Sequence, residues 1–309
     1  MTVAFLFPGQ GSQSAGLLHQ LPQHSEVTRT IQEAGAVLGR DVGALDNVET
    51  LRSTAAVQET LLIAGVATAR ALMAEQVHPA AVAGMSIGAF GAAVACGTLS
   101  FAEALSLVHL RGELMQTAFP SGFGLAAIEG LNEVQVEGIV DRIATVALPA
   151  YISNINAPRQ IVVAGSDRAL NAVTAQARQQ GARRAERLAV SVPSHCPLLQ
   201  PVADRIEQLI AKIPLRPPSA TYVSNRGGRA LYDAEAIRRD LATNVAHPVR
   251  WYDALAVLRE LGTALFLEMP PGHVSTHIVA ELFPDVRAVS IADQGLRYAT
   301  VVAANHRTG

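Results

Sequence analysis

Only two cysteines, Cys96 and Cys196, occur in the 309 residues. They are too few for a disulfide framework or a cysteine-rich zinc site, and they suit a reducing compartment. Charge is also scarce: charged residues make up 16% of the chain, below the usual quarter, and the net charge is -2. That balance gives no electrostatic case for nucleic acid or a membrane surface as partner, so any binding site must be local. The N-terminal MTVAFLFPGQG has no basic segment, and its apolar run is too short for a signal peptide or a membrane span. A cytoplasmic location is the expectation. No internal repeat or low-complexity tract is present. What the chain does have is 50% hydrophobic residues, enough for one large globular core or a core that carries an insertion.

Val3 to Phe7 reads as a short buried strand running into Pro8-Gly9-Gln10-Gly11-Ser12-Gln13, a loop where proline and glycine stop regular structure. Gln58 to Glu75 has apolar residues at the helical spacing of Leu61, Leu62, Val66 and Leu72, and a strand follows at Ala80 to Ala83. A second long helix covers Phe101 to Phe119, with a stripe of Phe101, Leu105, Val108, Leu114 and Met115. From Gly124 the pattern changes. Strand LAAIEG, helix Asn132 to Ile143, strands Pro149 to Ile155 and Gln160 to Ala164, helix Arg168 to Gln179 and strand Arg187 to Val192 give the order βαββαβ, that of a ferredoxin-like unit. The expectation is an α/β core over 1–123 and 192–309, with a ferredoxin-like subdomain inserted at 124–191. The second core part holds a helix from Pro197 to Ile213, a strand at Thr221 to Ser224, and helices near Glu235 to Leu241 and Tyr252 to Leu261. Two closing strands, Ala264 to Glu268 and Val286 to Ala292, flank a helix from Val274 to Phe283.

Gly84-Met85-Ser86-Ile87-Gly88 sets a serine between two glycines where the apolar run meets an alanine-rich stretch. In this pattern a strand turns sharply into a helix, exposing the hydroxyl at a strained elbow beside helix-initiating N–H groups that suit an oxyanion. A plain glycine-rich turn fits the same residues. A nucleophilic serine needs a general base, and nine histidines are available. His195 is the best placed, in the strand-to-helix loop Val192-Pro193-Ser194-His195-Cys196-Pro197, whose prolines restrict the backbone around the imidazole. A histidine near a helix cap is the alternative. Arg111 falls at the edge of the apolar stripe of its helix, where a guanidinium wants a carboxylate or phosphate. An internal salt bridge or a snorkelling stem would satisfy it equally. Gly9-Gln10-Gly11 lacks the third glycine of a dinucleotide loop, since position 14 is Ser14, and no Gly-Lys-Ser/Thr follows; beside the elbow, its backbone could supply the second oxyanion N–H. His273 and His277 are four apart, but the glutamate of H-E-x-x-H and a third ligand are missing, so no metal is expected.

FPGQGSQ at 7–13, GMSIG at 84–88, RGELMQ at 111–116, NAPRQIVVAG at 156–165, VPSHCPLL at 192–199 and HPVRW at 247–251 together resemble the malonyl-CoA:acyl carrier protein transacylases. The resemblance spans nearly the whole chain and implies an α/β-hydrolase-like core with a ferredoxin-like insertion. It implies Ser86 as the acyl-accepting nucleophile, His195 as its base and Arg111 as the clamp on a malonyl carboxylate. The backbone N–H groups of Gln10 and Ile87 would form the oxyanion hole, and a main-chain carbonyl around Arg250 would orient the histidine. Asn156 and Met85 would lie on the substrate side. No bound cofactor is implied; malonyl-CoA and an acyl carrier protein are the substrates. Family members commonly have histidine before the serine and a polar residue after the second glycine, where this chain has Met85 and Ala89-Phe90. That version looks like the transacylase subunit of bacterial malonate decarboxylase, whose other subunits would then be partners. A transacylase of fatty acid or polyketide synthesis, a serine thioesterase and a non-catalytic carrier-binding subunit are the alternatives.

Overall fold

The computed structural model describes residues 2–119 and 121–305. Among them the strands are β1 (Thr2–Phe7), β2 (Ala81–Gly84), β3 (Phe123–Glu129), β4 (Ala150–Ala157), β5 (Gln160–Ser166), β6 (Arg184–Arg187), β7 (Thr221–Val223), β8 (Ala230–Leu231), β9 (Thr263–Glu268) and β10 (Arg287–Ser290). They form two sheets. The larger has the order β10-β9-β1-β2-β7-β8 and is parallel except for β8, which turns back along β7. Its central strands read as unbroken apolar runs because helices cover both faces. Val3, Phe5 and Phe7 join one core with the helices Thr54–Ala74, Gly88–Ala95 and Phe101–Ala118. Ala4 and Leu6, with the opposite pleat, pack against Trp251, Leu255 and Ile278 of the helices Trp251–Glu260 and Val274–Leu282.

Thr54–Ala74 is the one described helix long and apolar enough to cross a membrane, but 89% of that stretch is buried within the protein. It packs against Ser25–Leu38 on one side and Phe101–Ala118 on the other, as a core helix apolar on all sides does.

The smaller sheet is antiparallel throughout, in the order β4-β5-β3-β6. One face packs on the helices Glu133–Ile143 and Asp167–Gln179 through Ile128, Ile161 and Val163 against Val136, Ile139, Leu170 and Val173. The chain enters these elements in the order βαββαβ. Val249, which packs in the core cluster beneath β1, lies alongside β4: Ile155 N–H donates to Val249 O at 2.9 Å and Val249 N–H to Ser153 O at 2.8 Å.

The strand expected at Arg187 to Val192 is displaced. β6 is Arg184–Arg187, pairing with Ala126 to Glu129, and after Leu188 donates to Leu125 O the chain leaves the sheet. The alternation of Leu188, Val190 and Val192 is real, but Leu188 and Val190, partly buried, line a cavity wall and Val192 is buried in a small apolar cluster, none of them on a sheet. The helix expected over Pro197 to Ile213 is a short turn, Pro197–Leu199, followed by the helix Gln200–Ile210, and the last strand ends at Ser290 where a helical turn begins. Helices Ser25–Leu38 and Leu296–Asn305 were not foreseen from the pattern.

Candidate active site

Ser86 stands where β2 ends and the helix Gly88–Ala95 begins, with φ 57, a left-handed conformation uncommon for a residue with a side chain. The flanking glycines make the elbow possible. A Cβ on Gly84 would lie 2.0 Å from the carbonyl carbon of Gly88, and one on Gly88 would lie 2.2 Å from Phe7 O. Gly88→Ala should therefore push the helix off β1, costing about 1–3 kcal/mol of stability and displacing the serine. Thermal unfolding together with acylation of Ser86 checks this; a variant of wild-type stability and reactivity would show that the elbow tolerates a methyl group.

His195 also has a left-handed backbone, φ 63, fixed where its N–H donates to Val245 O at 2.7 Å. Its Nδ1 lies 2.7 Å from Asn244 O and its Nε2 2.7 Å from Ser86 Oγ. A carbonyl oxygen only accepts, so Nδ1 carries the proton and Nε2 presents its lone pair to the serine hydroxyl. The orienting carbonyl is thus that of Asn244 and not of Arg250. Asn244 opens the turn Asn244–Ala246 after the helix Ala234–Thr243, and its carbonyl also accepts the His247 N–H at 3.3 Å. Arg250 instead pairs its guanidinium with Glu133 and Asp253, and its N–H donates to Asn225 O. Among the described histidines no other hydrogen-bonds Ser86: His109 meets Glu59, His24 caps its helix, and His273 and His277 lie against each other with tilted rings. His306 lies outside the described residues.

Arg111 is 1% exposed. One Nη donates to Gln58 Oε1 at 2.7 Å and the other to Ser86 Oγ at 3.3 Å, while Nε is buried with no partner. No ion pair among the described residues uses it, so the internal salt bridge that would have explained it structurally is absent. Burial without a counter-ion pulls its pKa well below the ordinary guanidinium value.

Gly9 comes close to Met85, with 3.2 Å between a Cβ placed there and Met85 O, which sets the Pro8–Gln13 loop beside the elbow. No hydrogen bond among the described residues uses the N–H of Gln10 or of Ile87. A cavity of about 420 Å³ opens here, lined by Gln10, Met85, Ser86, Asn154, Asn156 and His195 among others. The amide oxygen of Asn156 is buried in it without a partner.

The sequence matches the family model of the acyl transferase domain over residues 4–307. The chain belongs to the acyl transferase family. It is 36% identical over 294 residues to the malonyl CoA-acyl carrier protein transacylase of Salmonella typhimurium, covering 93% of this chain and 95% of that protein. The Bacillus subtilis protein of the same name is 30% identical, with 94% and 93% covered. Among solved structures, the malonyl CoA-acyl carrier protein transacylase of Coxiella burnetii superposes with a TM-score of 0.93 at 34% identity, over 98% of this chain and 97% of the other. A malonyl-transacylase solved in complex with its type II PKS acyl-carrier protein gives a TM-score of 0.92 at 34% identity, over 99% and 100%.

In this acyl transferase the His195 imidazole is held toward its neutral form. Burial, then the Arg111 charge, push the His195 pKa from 6.5 down to about 4, against the opposing pull of the Asn244 carbonyl. Between those values the unfolded chain binds the proton that the folded one refuses, so stability falls as pH drops through this window. Denaturant unfolding at pH 7 and pH 4.5 should show the wild type losing roughly 2 to 3 kcal/mol more than His195→Gln. Equal losses would show that His195 is not held neutral.

Three further residues contact the candidate site without a motif that marks them in the sequence: Gln58, Asn225 and Asn244. Asn225 had a usable signal, because it follows β7, the neighbour of β2, at the carboxyl end of a parallel sheet where binding loops gather.

Proposed function

We propose that this chain moves a malonyl group from malonyl-CoA to the prosthetic-group thiol of an acyl carrier protein through a malonyl-Ser86 intermediate. The observation that carries the reading is the buried, unpaired Arg111 guanidinium 3.3 Å from the serine hydroxyl. A malonyl thioester brings a carboxylate one methylene away from the carbonyl that Ser86 would attack, and a planar guanidinium fork is suited to receive it. The full-length relatives carry names of the same reaction.

Ser86 Oγ attacks the thioester carbonyl carbon as its proton passes to His195 Nε2, and the tetrahedral oxyanion lies between the N–H groups of Gln10 and Ile87. Collapse breaks the C–S bond, and the CoA sulfur leaves with the proton returned by His195. The carrier thiol then gives its proton to His195, attacks the malonyl ester carbonyl and expels Ser86 Oγ, which takes that proton back from His195 Nε2. The second thioester is of similar energy to the first, so no cofactor drives the cycle, and exclusion of water decides transfer against hydrolysis. Asn244 O steadies the transient imidazolium in place of an acidic third residue.

The relatives' names and the solved complex with a type II PKS carrier favour a phosphopantetheine carrier of fatty acid or polyketide synthesis as the acceptor. A malonate decarboxylase carrier is the second reading; it rests on Met85 and Ala89-Phe90 where the family's usual residues are polar. The same proposal covers the architecture, an α/β-hydrolase-like core over 1–123 and 192–309 with a ferredoxin-like subdomain at 124–191, supported by the strand order β4-β5-β3-β6. A cytoplasmic location is supported by two free, buried thiols.

Intact-mass analysis after incubation with malonyl-CoA or acetyl-CoA tests the reading, with Ser86→Ala as control. A malonyl adduct that the variant lacks is expected. Neither adduct nor released CoA would overturn transfer, and free malonate forming faster than loaded carrier would make the protein a hydrolase.

A further inference from the structure

Behind the reacting groups, two polar bridges converge on one stretch of chain. Ser86 N–H donates to Asn225 Oδ1 at 2.7 Å, and Asn225 Nδ2 donates to Gly84 O at 2.7 Å. The side-chain amide therefore spans the elbow, and its orientation is fixed, since an N–H only donates and a carbonyl only accepts. Asn225 is itself held from behind. Its backbone N–H and that of Arg226 donate to the two oxygens of Asp240 at 3.2 and 3.0 Å, and Tyr222 Oη donates a third bond to the same carboxylate at 2.8 Å. Asp240 is 5% exposed and belongs to the helix Ala234–Thr243. Directly beyond that helix, Asn244 O receives His195 Nδ1 and Val245 O receives His195 N–H. One carboxylate thus ties the loop that grips the serine to the helix end that grips the histidine.

We propose that Asn225 is a positioning residue for the nucleophile and that Asp240 is the strut that fixes it relative to His195, so that together they set the Ser86–His195 separation. The proposal rests on the reading of Ser86 and His195 as the reacting pair. A serine at φ 57 stays there only when its surroundings over-determine it, and the Asn225 amide supplies that constraint from both sides of the turn. By engaging the Ser86 N–H, it also directs the next N–H, that of Ile87, to the oxyanion position.

The test compares the rate at which a fluorophosphonate probe labels Ser86 with kcat and KM for malonyl transfer, in wild type, Asn225→Ala, Asn225→Asp and Asp240→Asn. Asn225→Ala should lose about 10²-fold in labelling and in kcat, the cost of a misplaced reacting atom. KM for malonyl-CoA should stay within about threefold, because the carboxylate clamp is untouched. Asn225→Asp keeps the acceptor for Ser86 N–H and loses the donor to Gly84 O, so it should recover part of the rate. Asp240→Asn, 15 residues from Asn225 in sequence, should show the same kcat-only pattern in weaker form. Wild-type labelling by folded Asn225→Ala would overturn the proposal, as would kcat and KM worsening together in step with lost folded protein. Should Asn225→Ala fail to fold, Asn225→Asp decides: slower labelling supports the clamp and the wild-type rate refutes it. Wild-type protein that labels with the probe yet takes no malonyl from malonyl-CoA would refute the transfer reading alone, leaving the labelling ratios to judge the clamp.

Discussion

His195→Ala should slow acylation of Ser86 by malonyl-CoA about 10⁴-fold, the loss expected when a serine nucleophile is deprived of its base. In the variant the hydroxyl keeps only the Arg111 Nη contact, which donates toward the oxygen and cannot take its proton. The two N–H groups at the oxyanion position and the cavity remain, so a residual rate above the uncatalysed one should persist. Single-turnover release of CoA measures the loss. The pH profile adds a second readout: the wild-type acid limb should fall near the His195 pKa of about 4, and the variant should lack it. A loss under tenfold would remove His195 from the role of base.

Arg111→Ala should cut kcat/KM for malonyl-CoA by roughly 10²- to 4 × 10³-fold, from the 3–5 kcal/mol that a buried charge loses with its partner. The malonyl carboxylate would then meet Gln58 and Met115 with no cation to receive it. Acetyl-CoA brings no carboxylate and should be spared, so the ratio between the two donors should collapse by about the same factor. Removing the guanidinium also removes the second cause of the depressed imidazole, so the acid limb should move up toward 6.5. Unchanged selectivity between the donors would refute the clamp, even if overall activity fell.

Much of the fold was legible because its elements carry strong periodicity. The Thr54–Ala74 and Phe101–Ala118 helices and the βαββαβ run announce themselves through apolar spacing. The Leu188 to Val192 stretch misled because alternation reports which side chains face an apolar wall, and a cavity wall satisfies it as well as a sheet does. At the site, Ser86 and His195 were legible through their turn chemistry, and Arg111 through its place on an apolar stripe. The orienting carbonyl was not, since any residue type has one and only the turn that follows the helix end decides that the Asn244 carbonyl faces His195. Asn225 reaches Ser86 across 139 residues, and Asp240 acts through the backbone amides of Asn225 and Arg226 and the Tyr222 hydroxyl; none of these contacts leaves a spacing to read.

Ser86 and His195 both hold left-handed backbones, at φ 57 and 63, conformations that cost on the order of 1–3 kcal/mol for residues other than glycine. The two side chains proposed as the reacting pair are thus placed where the fold would prefer to have none. A copy of this chain released from the need for acyl transfer would shed the strain at Ser86 by accepting glycine there, whereas the buried His195 would leave a cavity if cut back in the same way. Selection for folding alone would erase the serine first.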